Sequence, residues 1–199
     1  QSADYDSSYA ATYYPNVRIR DTAGPGEAVT VVPASVAALG AIARSEAVSD
    51  GPWFAPAGFN RGGIGVLGGS AGPRVVNTLE HLTKRNRDDL YEENINPIAR
   101  FPSIGEIVIF GQKTLQQTPS ALDRINVRRL MIYLKKRIGR IANTILFDQN
   151  VSVTWNRFKS RANAILADVK SRFGIVEYKL ILDETTTTAD LIDRNILYA

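Results

Sequence analysis

Six apolar residues, Val127, Met131, Leu134, Ile138, Ile141 and Ile145, recur at intervals of 4, 3, 4, 3 and 4. That spacing follows the 3.6-residue turn of an α-helix and no strand period, so it commits one side of a long helix to a core. The expected span runs from about Ser120, whose hydroxyl suits an N-cap, to Phe147. Asp123 three residues on has the place of a capping-box partner. Trp155, Phe158, Ala162, Ile165, Val169 and Phe173 form a second stripe and predict a second helix over about 152–173, with Gly174 as its C-terminal cap.

Shorter signals precede these helices. "YYPNVRIRD" predicts a strand with Val17 and Ile19 on one face and Arg18 and Arg20 on the other. "AGPG" interrupts it and "EAVTVV" resumes as an extended segment. "VPASVAALGAIARSEA" predicts a helix with Pro33 in its first turn and Val36, Leu39, Ala43 and Ala47 along one stripe. Residues 49–74 hold more than half of the chain's glycines and three prolines, the mark of a long irregular loop. "TLEHLTKRNRDDLYEEN" predicts a short charged surface helix, and "INPIARFPSIG" a proline-punctuated connection. "EIVIFG" suits a strand buried on both faces, and "IVEYKLIL" an alternating strand. "TTTTADLIDRN" reads as a short capped helix or turn, and "ILYA" as the start of another strand. The fold class is α/β (α+β): a small mixed sheet packed against two long helices, within one core domain over 1–199.

Charge is distributed unevenly. Between residues 121 and 172 there are twelve Lys/Arg against three acids, while the rest of the chain carries an acidic excess. The stretch "INVRRLMIYLKKRIGR" has six basic residues and no acid. Arg124, Arg128 and Lys135 flank the apolar stripe of that helix, and Arg129, Lys136 and Arg140 lie roughly opposite it. Such a face is a solvated surface, a contact for an acidic protein, or a grip on a nucleic-acid backbone. Against the last, there is no recognisable binding module and no set of side chains laid out to read bases.

Catalytic constellations are scarce. The absence of cysteine excludes disulfides, thiolate metal sites and a Cys nucleophile. His81 is the sole histidine, and no Gly-x-Ser-x-Gly elbow accompanies it. Asp88, Asp89, Glu92 and Glu93 have the pattern of a solvated helix face. Gly63, Gly65 and Gly68 satisfy Gly-x-Gly-x-x-Gly, but no strand precedes them and no helix opens from them, so a dinucleotide site is not expected. The glycines suit close backbone approach instead. No catalytic residue, metal or cofactor is therefore expected. No apolar run approaches bilayer length, and no stable membrane insertion is expected. The opening "QSADYDSSYA" has neither the basic nor the apolar region of a signal peptide and no initiator Met, so the chain reads as a fragment of something larger.

Several phrases, in order, resemble one family. They are "YYPNV" at Tyr13-Tyr14-Pro15, "VPAS" at Val32 to Ser35, "GPWFAPAGFNRGG" at Gly51 to Gly63, "INPIARFP" at Ile95 to Pro102, "FGQKTL" at Phe110 to Leu115, "INVRRLMIYLKKRI" at Ile125 to Ile138 and "DETTTTADLIDRN" at Asp183 to Asn195. Together they resemble the C-terminal, tube-proximal domain of contractile phage tail sheath proteins. The resemblance implies a structural subunit that stacks in six-fold rings around a tail tube and contracts to drive it through a target envelope. Implied partners are other sheath subunits, the tail tube protein and the baseplate, with no direct nucleic-acid contact. The implied location is the virion, after assembly in the host cytoplasm. The family adds outer domains before "QSADYD" and a further strand and tail after "NILYA", so the resemblance implies a core without its linking segments and a sheet with an open edge. On this reading Arg129, Lys136 and Arg140 become candidates for an assembly or tube-facing surface.

Overall fold

The computed structural model describes residues 5–20, 28–65 and 74–198. The chain divides into two compact units, 1–129 and 130–199, with the division inside one helix.

The first unit holds two three-stranded sheets. One is ordered β1-β5-β6, from β1 (Thr12–Tyr14), β5 (Ile95–Phe101) and β6 (Glu106–Ile109), with β1 parallel and β6 antiparallel to β5. The other is antiparallel and ordered β3-β2-β4, from β2 (Val17–Arg20), β3 (Val29–Val32) and β4 (Val75–Thr78). The expected single small sheet is thus two, but the glycine-rich segment hydrogen-bonds between them. Ile64 donates its N–H to the Ile107 carbonyl at 2.9 Å, Ile109 donates to Gly62 at 2.8 Å, and Val75 donates to Ile64 at 3.2 Å. Gly62 and Gly65 permit that close passage. A Cβ on Gly62 would meet backbone atoms of Ala57 and Gly58 at 2.7 Å, and one on Gly65 would press on the Glu106 carboxylate. The segment from 49 onward also contains the short α2 (Gly58–Arg61) and buried Trp53, while 66–73, including Gly68, and the "AGPG" interruption lie outside the described residues.

β5 corrects the expected connection at "INPIARFPSIG". Proline is tolerated there because Pro97 is the last residue paired with β1, and the β6 pairing begins at Ile98. Its missing N–H falls where the chain passes from one ladder to the other, and its carbonyl accepts from Phe110 at 2.8 Å. Next to it, fully buried Asn96 is satisfied at both ends of its amide. It donates to the Thr12 and Lys113 carbonyls and accepts from the Lys113 N–H at 2.7 Å.

Helix α1 (Ala34–Ser49) forms where expected, with Pro33 as its N-cap, but turns the opposite face inward. Ala34, Ala37, Ala38 and Ala41 pack on Val17, Ile98, Ile107 and Ile109, while Val36 and Leu39 are exposed. Small side chains let the helix lie close to the sheet, which outweighs the larger apolar area of the other stripe. α3 (Lys84–Glu92) is capped by Thr83, whose hydroxyl accepts the Asn86 N–H at 3.3 Å.

The long basic helix α4 spans Ile125–Asn143. Its expected first turn is instead a separate 3-10 turn, Ala121–Asp123, capped by the Ser120 hydroxyl on the Leu122 N–H. Arg124 is extended because it pairs with Lys113, and Ile125 donates to the Gln112 carbonyl at 2.8 Å. That local pairing breaks what the periodicity reads as one continuous helix.

The second unit is an αα-hairpin of the C-terminal part of α4 and α5 (Ser152–Ser171). Trp155, Phe158, Ala162 and Leu182 form its core with Ile138, Ile141 and Ile145 packed around them. The Trp155 indole donates to Asn150 at 2.7 Å. α5 ends in a Schellman arrangement, Gly174 N–H to Val169 carbonyl at 2.8 Å and Phe173 N–H to Lys170 carbonyl at 3.0 Å. The left-handed residue is Phe173, with φ of 62°, and not the expected Gly174. The "IVEYKLIL" segment is no strand, since among the described residues no ladder is open to it in this unit. Leu180 and Leu182 pack on the hairpin instead. "ILYA" likewise forms no strand over its described residues, and α6 (Ala189–Asp193) supplies the short helix.

Candidate assembly surface

The basic residues of α4 fall into two groups. Those near its N-terminus are held by side chains of the first unit. Arg124 pairs with Asp123 at 3.2 Å and donates to the Tyr91 hydroxyl. Arg128 lies 4.1 Å over the Tyr9 ring and donates to the Ser8 hydroxyl. Arg129 pairs with Glu46 at 2.5 Å and donates to the Pro52 carbonyl at 3.3 Å, leaving its side chain 17% exposed. Its guanidinium also faces Tyr13. Burial pushes that phenol up to about 12, and the Arg129 charge works against the rise. Arg129 therefore stands apart from Lys136 and Arg140, although all three share one side of the helix by spacing.

Further along α4, Lys135, Lys136, Arg137 and Arg140 are exposed. Arg137 lies 5.5 Å from the Tyr133 ring centre, while the other three make no ion pair among the described residues. Arg140, in the last turn, also complements the partial negative charge of the helix C-terminus. Beside them Met131, assigned to the core stripe by its spacing, is about half exposed, as is Ile132. The outward surface of this half is thus cationic with apolar patches, a composition suited to a protein contact.

Sequence reasoning missed a second surface feature. Phe59, Phe101 and Phe110 cluster with ring centres 5.0–5.8 Å apart, and Arg87 lies 5.0 Å over Phe101. Phe59 and Phe110 remain nearly half exposed beside a cavity of about 400 Å³ that Arg87, Tyr91 and Arg124 also line. Three residues this far apart in the chain leave no local periodic signal.

The remaining motifs have structural places. His81 is exposed in the connection before α3, Asp88, Asp89 and Glu92 are exposed on α3, and Glu93 is exposed as its C-cap. Among the described residues no three His or acidic side chains are grouped to hold a metal ion. No helix among them is long and apolar enough to cross a membrane. Gly63 bridges to Val108, and the Gly65 N–H is donated to Glu106 at 2.5 Å, so that amide is not free to cradle a phosphate.

Comparison with known proteins gives this architecture a family. Residues 117–199 match the phage tail sheath C-terminal domain. The tail sheath protein of Vibrio phage KVP40 is 40% identical over 165 residues, and that of Enterobacteria phage T4 is 38% identical over 164. Each alignment covers 82% of this chain and 23% of the relative, so the chain spans about a quarter of those proteins' length. Among solved structures, the PVC sheath complex of an extracellular contractile injection system in its contracted state matches with a TM-score of 0.79 at 24% identity, over 98% of this chain and 51% of that one. The six-fold symmetrised baseplate of the anti-feeding prophage gives a chain matching at 0.78 and 22% identity, over 96% and 49%. At such identities these likenesses show the shared α+β fold. The family match takes in both long helices, and the alignments with the two phage proteins are too long to be confined to them: residues 117–199 carry a phage tail sheath C-terminal domain, and the chain is similar to phage tail sheath proteins over most of its length.

Proposed function

We propose that the chain is the core of a structural subunit of a contractile tail sheath. In this reading residues 1–199 serve as one sheath core domain, with the glycine-rich stretch 49–74 as a long loop within it. Subunits stack as six-fold rings around a tail tube, and the sheath contracts to drive the tube through the target envelope. The work comes from exchanging one set of subunit contacts for another, with no catalysis. Its partners are further sheath subunits, the tube protein and the baseplate, and its place is the virion after assembly in the host cytoplasm. The observation that carries the reading is the identity of 40% and 38% to two phage tail sheath proteins across 82% of the chain.

The surface best suited to an acidic tube or neighbouring subunit is the exposed half of α4, with Lys136 and Arg140 at its centre. Both are solvated and without an internal counter-charge among the described residues. Arg129 is committed to Glu46 and contributes by holding the helix. A nucleic-acid grip by the same helix would lose Arg124, Arg128 and Arg129, all of which have partners within the chain.

The test is charge reversal in the full-length protein, Lys136→Glu with Arg140→Glu, followed by co-sedimentation with tubes. Weakened attachment at low salt, with no change in fold, is the expected result. Attachment equal to the parent protein at every salt concentration would remove this surface from the account.

A further inference from the structure

The connection between α4 and α5, with the first turn of α5, presents an apolar knob. Leu146, Phe147, Val151 and Val153 are all exposed there, and Phe147 is fully so. Phe147 also holds a left-handed backbone, with φ of 69°. That conformation is unfavourable for a bulky residue, yet hydrogen bonds beside it hold the turn in place. The Asp148 N–H is donated to the Ile145 carbonyl at 3.1 Å, and the Asp148 carboxylate pairs with Arg157 at 2.5 Å. Asn150 accepts the Trp155 indole N–H at 2.7 Å and donates to the Ile196 carbonyl at 3.1 Å. An apolar ring fixed in water on a strained turn is set up for a contact, because seating it requires little further ordering.

The first unit carries a hollow of the right chemistry. Ala55, Ala57, Pro97 and Phe110 stand in the wall of its cavity of about 400 Å³, and the Phe59 ring centre lies 5.8 Å from that of Phe110. Phe59 and Phe110 are nearly half exposed, and Phe101 closes the cluster at 5.0 Å from each. Aromatic rings favour a further ring at centre distances of about 4.5–7 Å, tilted or edge-on. The volume is at the lower end of the roughly 300–1,000 Å³ of sites for whole small molecules, which suits one apolar side chain. Charge does not oppose the fit. Arg87 and Asp88 both line the cavity, Arg124 pairs with Asp123 at 3.2 Å, and Asp148 beside the knob is balanced by Arg157.

We infer that Phe147 of one copy seats in the Phe59–Phe110 cavity of a second copy. The two surfaces are unlike, so the contact is heterologous, and its repetition gives rings or helical filaments and not a closed pair. The inference rests on the reading of the chain as a sheath subunit, whose assembly supplies the second copy. One such knob buries far less than the roughly 1,200 Å² of a stable two-chain interface, so it works as one of several contacts in an assembly.

The test uses the full-length protein with p-benzoylphenylalanine in place of Phe147, which keeps an aromatic knob, assembled on tail tubes and irradiated. Adducts between copies are expected, mapped by mass spectrometry to peptides that contain Phe59 or Phe110. Phe147→Ser should raise the concentration needed for assembly roughly tenfold, the size of a lost aromatic anchor. Because Phe147 is fully exposed, the thermal unfolding of that variant should match the parent's. Adducts within one chain, adducts elsewhere, no adducts, or assembly of Phe147→Ser at the parent's concentration would overturn the assignment. Electron microscopy of the same samples separates the two ideas. Sleeves without adducts at the cavity remove this contact alone, whereas parent subunits that stay dispersed while folded remove the sheath reading with it.

Discussion

Arg129 of α4 closes on Glu46 of α1, with 2.5 Å between guanidinium nitrogen and carboxylate oxygen. The pair turns a residue that the helical wheel places on an outward basic face into an internal tie. Glu46 is about half exposed, so Glu46→Gln is expected to cost no more than about 1 kcal/mol. Arg129→Ala also leaves the Pro52 carbonyl without that donor and is expected to cost about 1–2 kcal/mol. Urea unfolding measures both. Unchanged stability in Arg129→Ala would return Arg129 to the free surface.

Gly62 lies where the end of α2 meets β6. An added Cβ would press on the backbone of Ala57 and Gly58, which cannot rotate away as a side chain could. Its carbonyl also holds the Ile109 N–H. Gly62→Ala is expected to destabilise the first unit by about 1–3 kcal/mol, the range for overpacking. Gly139→Ala, on α4 with open space around the added methyl, should be neutral to stabilising by up to about 1 kcal/mol. Thermal unfolding of the two variants side by side separates the cases.

Much of this architecture is legible in the sequence, and the failures share a cause. The twice-buried β6, the alternation of β2 and most of the stripes of α4 and α5 depend on local period and lie as read, whereas Met131 and Phe173 are exposed. Which face of α1 turns inward depends on how closely it lies against the sheet, which period alone does not report: the alanines won over Val36 and Leu39. Pro97 reads as a break until the two ladders of β5 are known to meet beside it. "IVEYKLIL" has a strand's alternation without a neighbouring ladder to join. Residue type and helical spacing predict the exposure of Lys136 and Arg140, whereas the Glu46 contact of Arg129 spans 83 residues of sequence and leaves no local trace.

Phe173 holds a left-handed conformation at the end of α5 while its ring is 89% exposed. That backbone costs a non-glycine residue about 1–2 kcal/mol, partly offset by the greater unfolded entropy of glycine. Phe173→Gly is therefore expected to stabilise the second unit by about 0.5–1 kcal/mol, measured by thermal unfolding. A loss of stability would mean that the ring packs on the hairpin.

Tyr13 links the first unit to alkaline pH. Its folded value of about 12 lies above the ordinary phenol value near 10, so the neutral form is favoured by folding. The associated stability is fully present below about pH 10 and is lost as pH rises through about 12. Tyr14 is raised in the same direction, first by its hydrogen bond to Glu80. Tyr13→Phe is expected to flatten the fall of unfolding free energy across that window. An unchanged slope in urea titrations at stepped pH would contradict the burial of the phenol.

As part of a sheath subunit, the chain is proposed to work by assembly. The most direct measurement is electron microscopy of the full-length protein containing it, mixed with purified tail tubes. The account predicts tubes sleeved in stacked six-fold rings. Bare tubes beside dispersed single subunits, under conditions where the protein is folded, would contradict it.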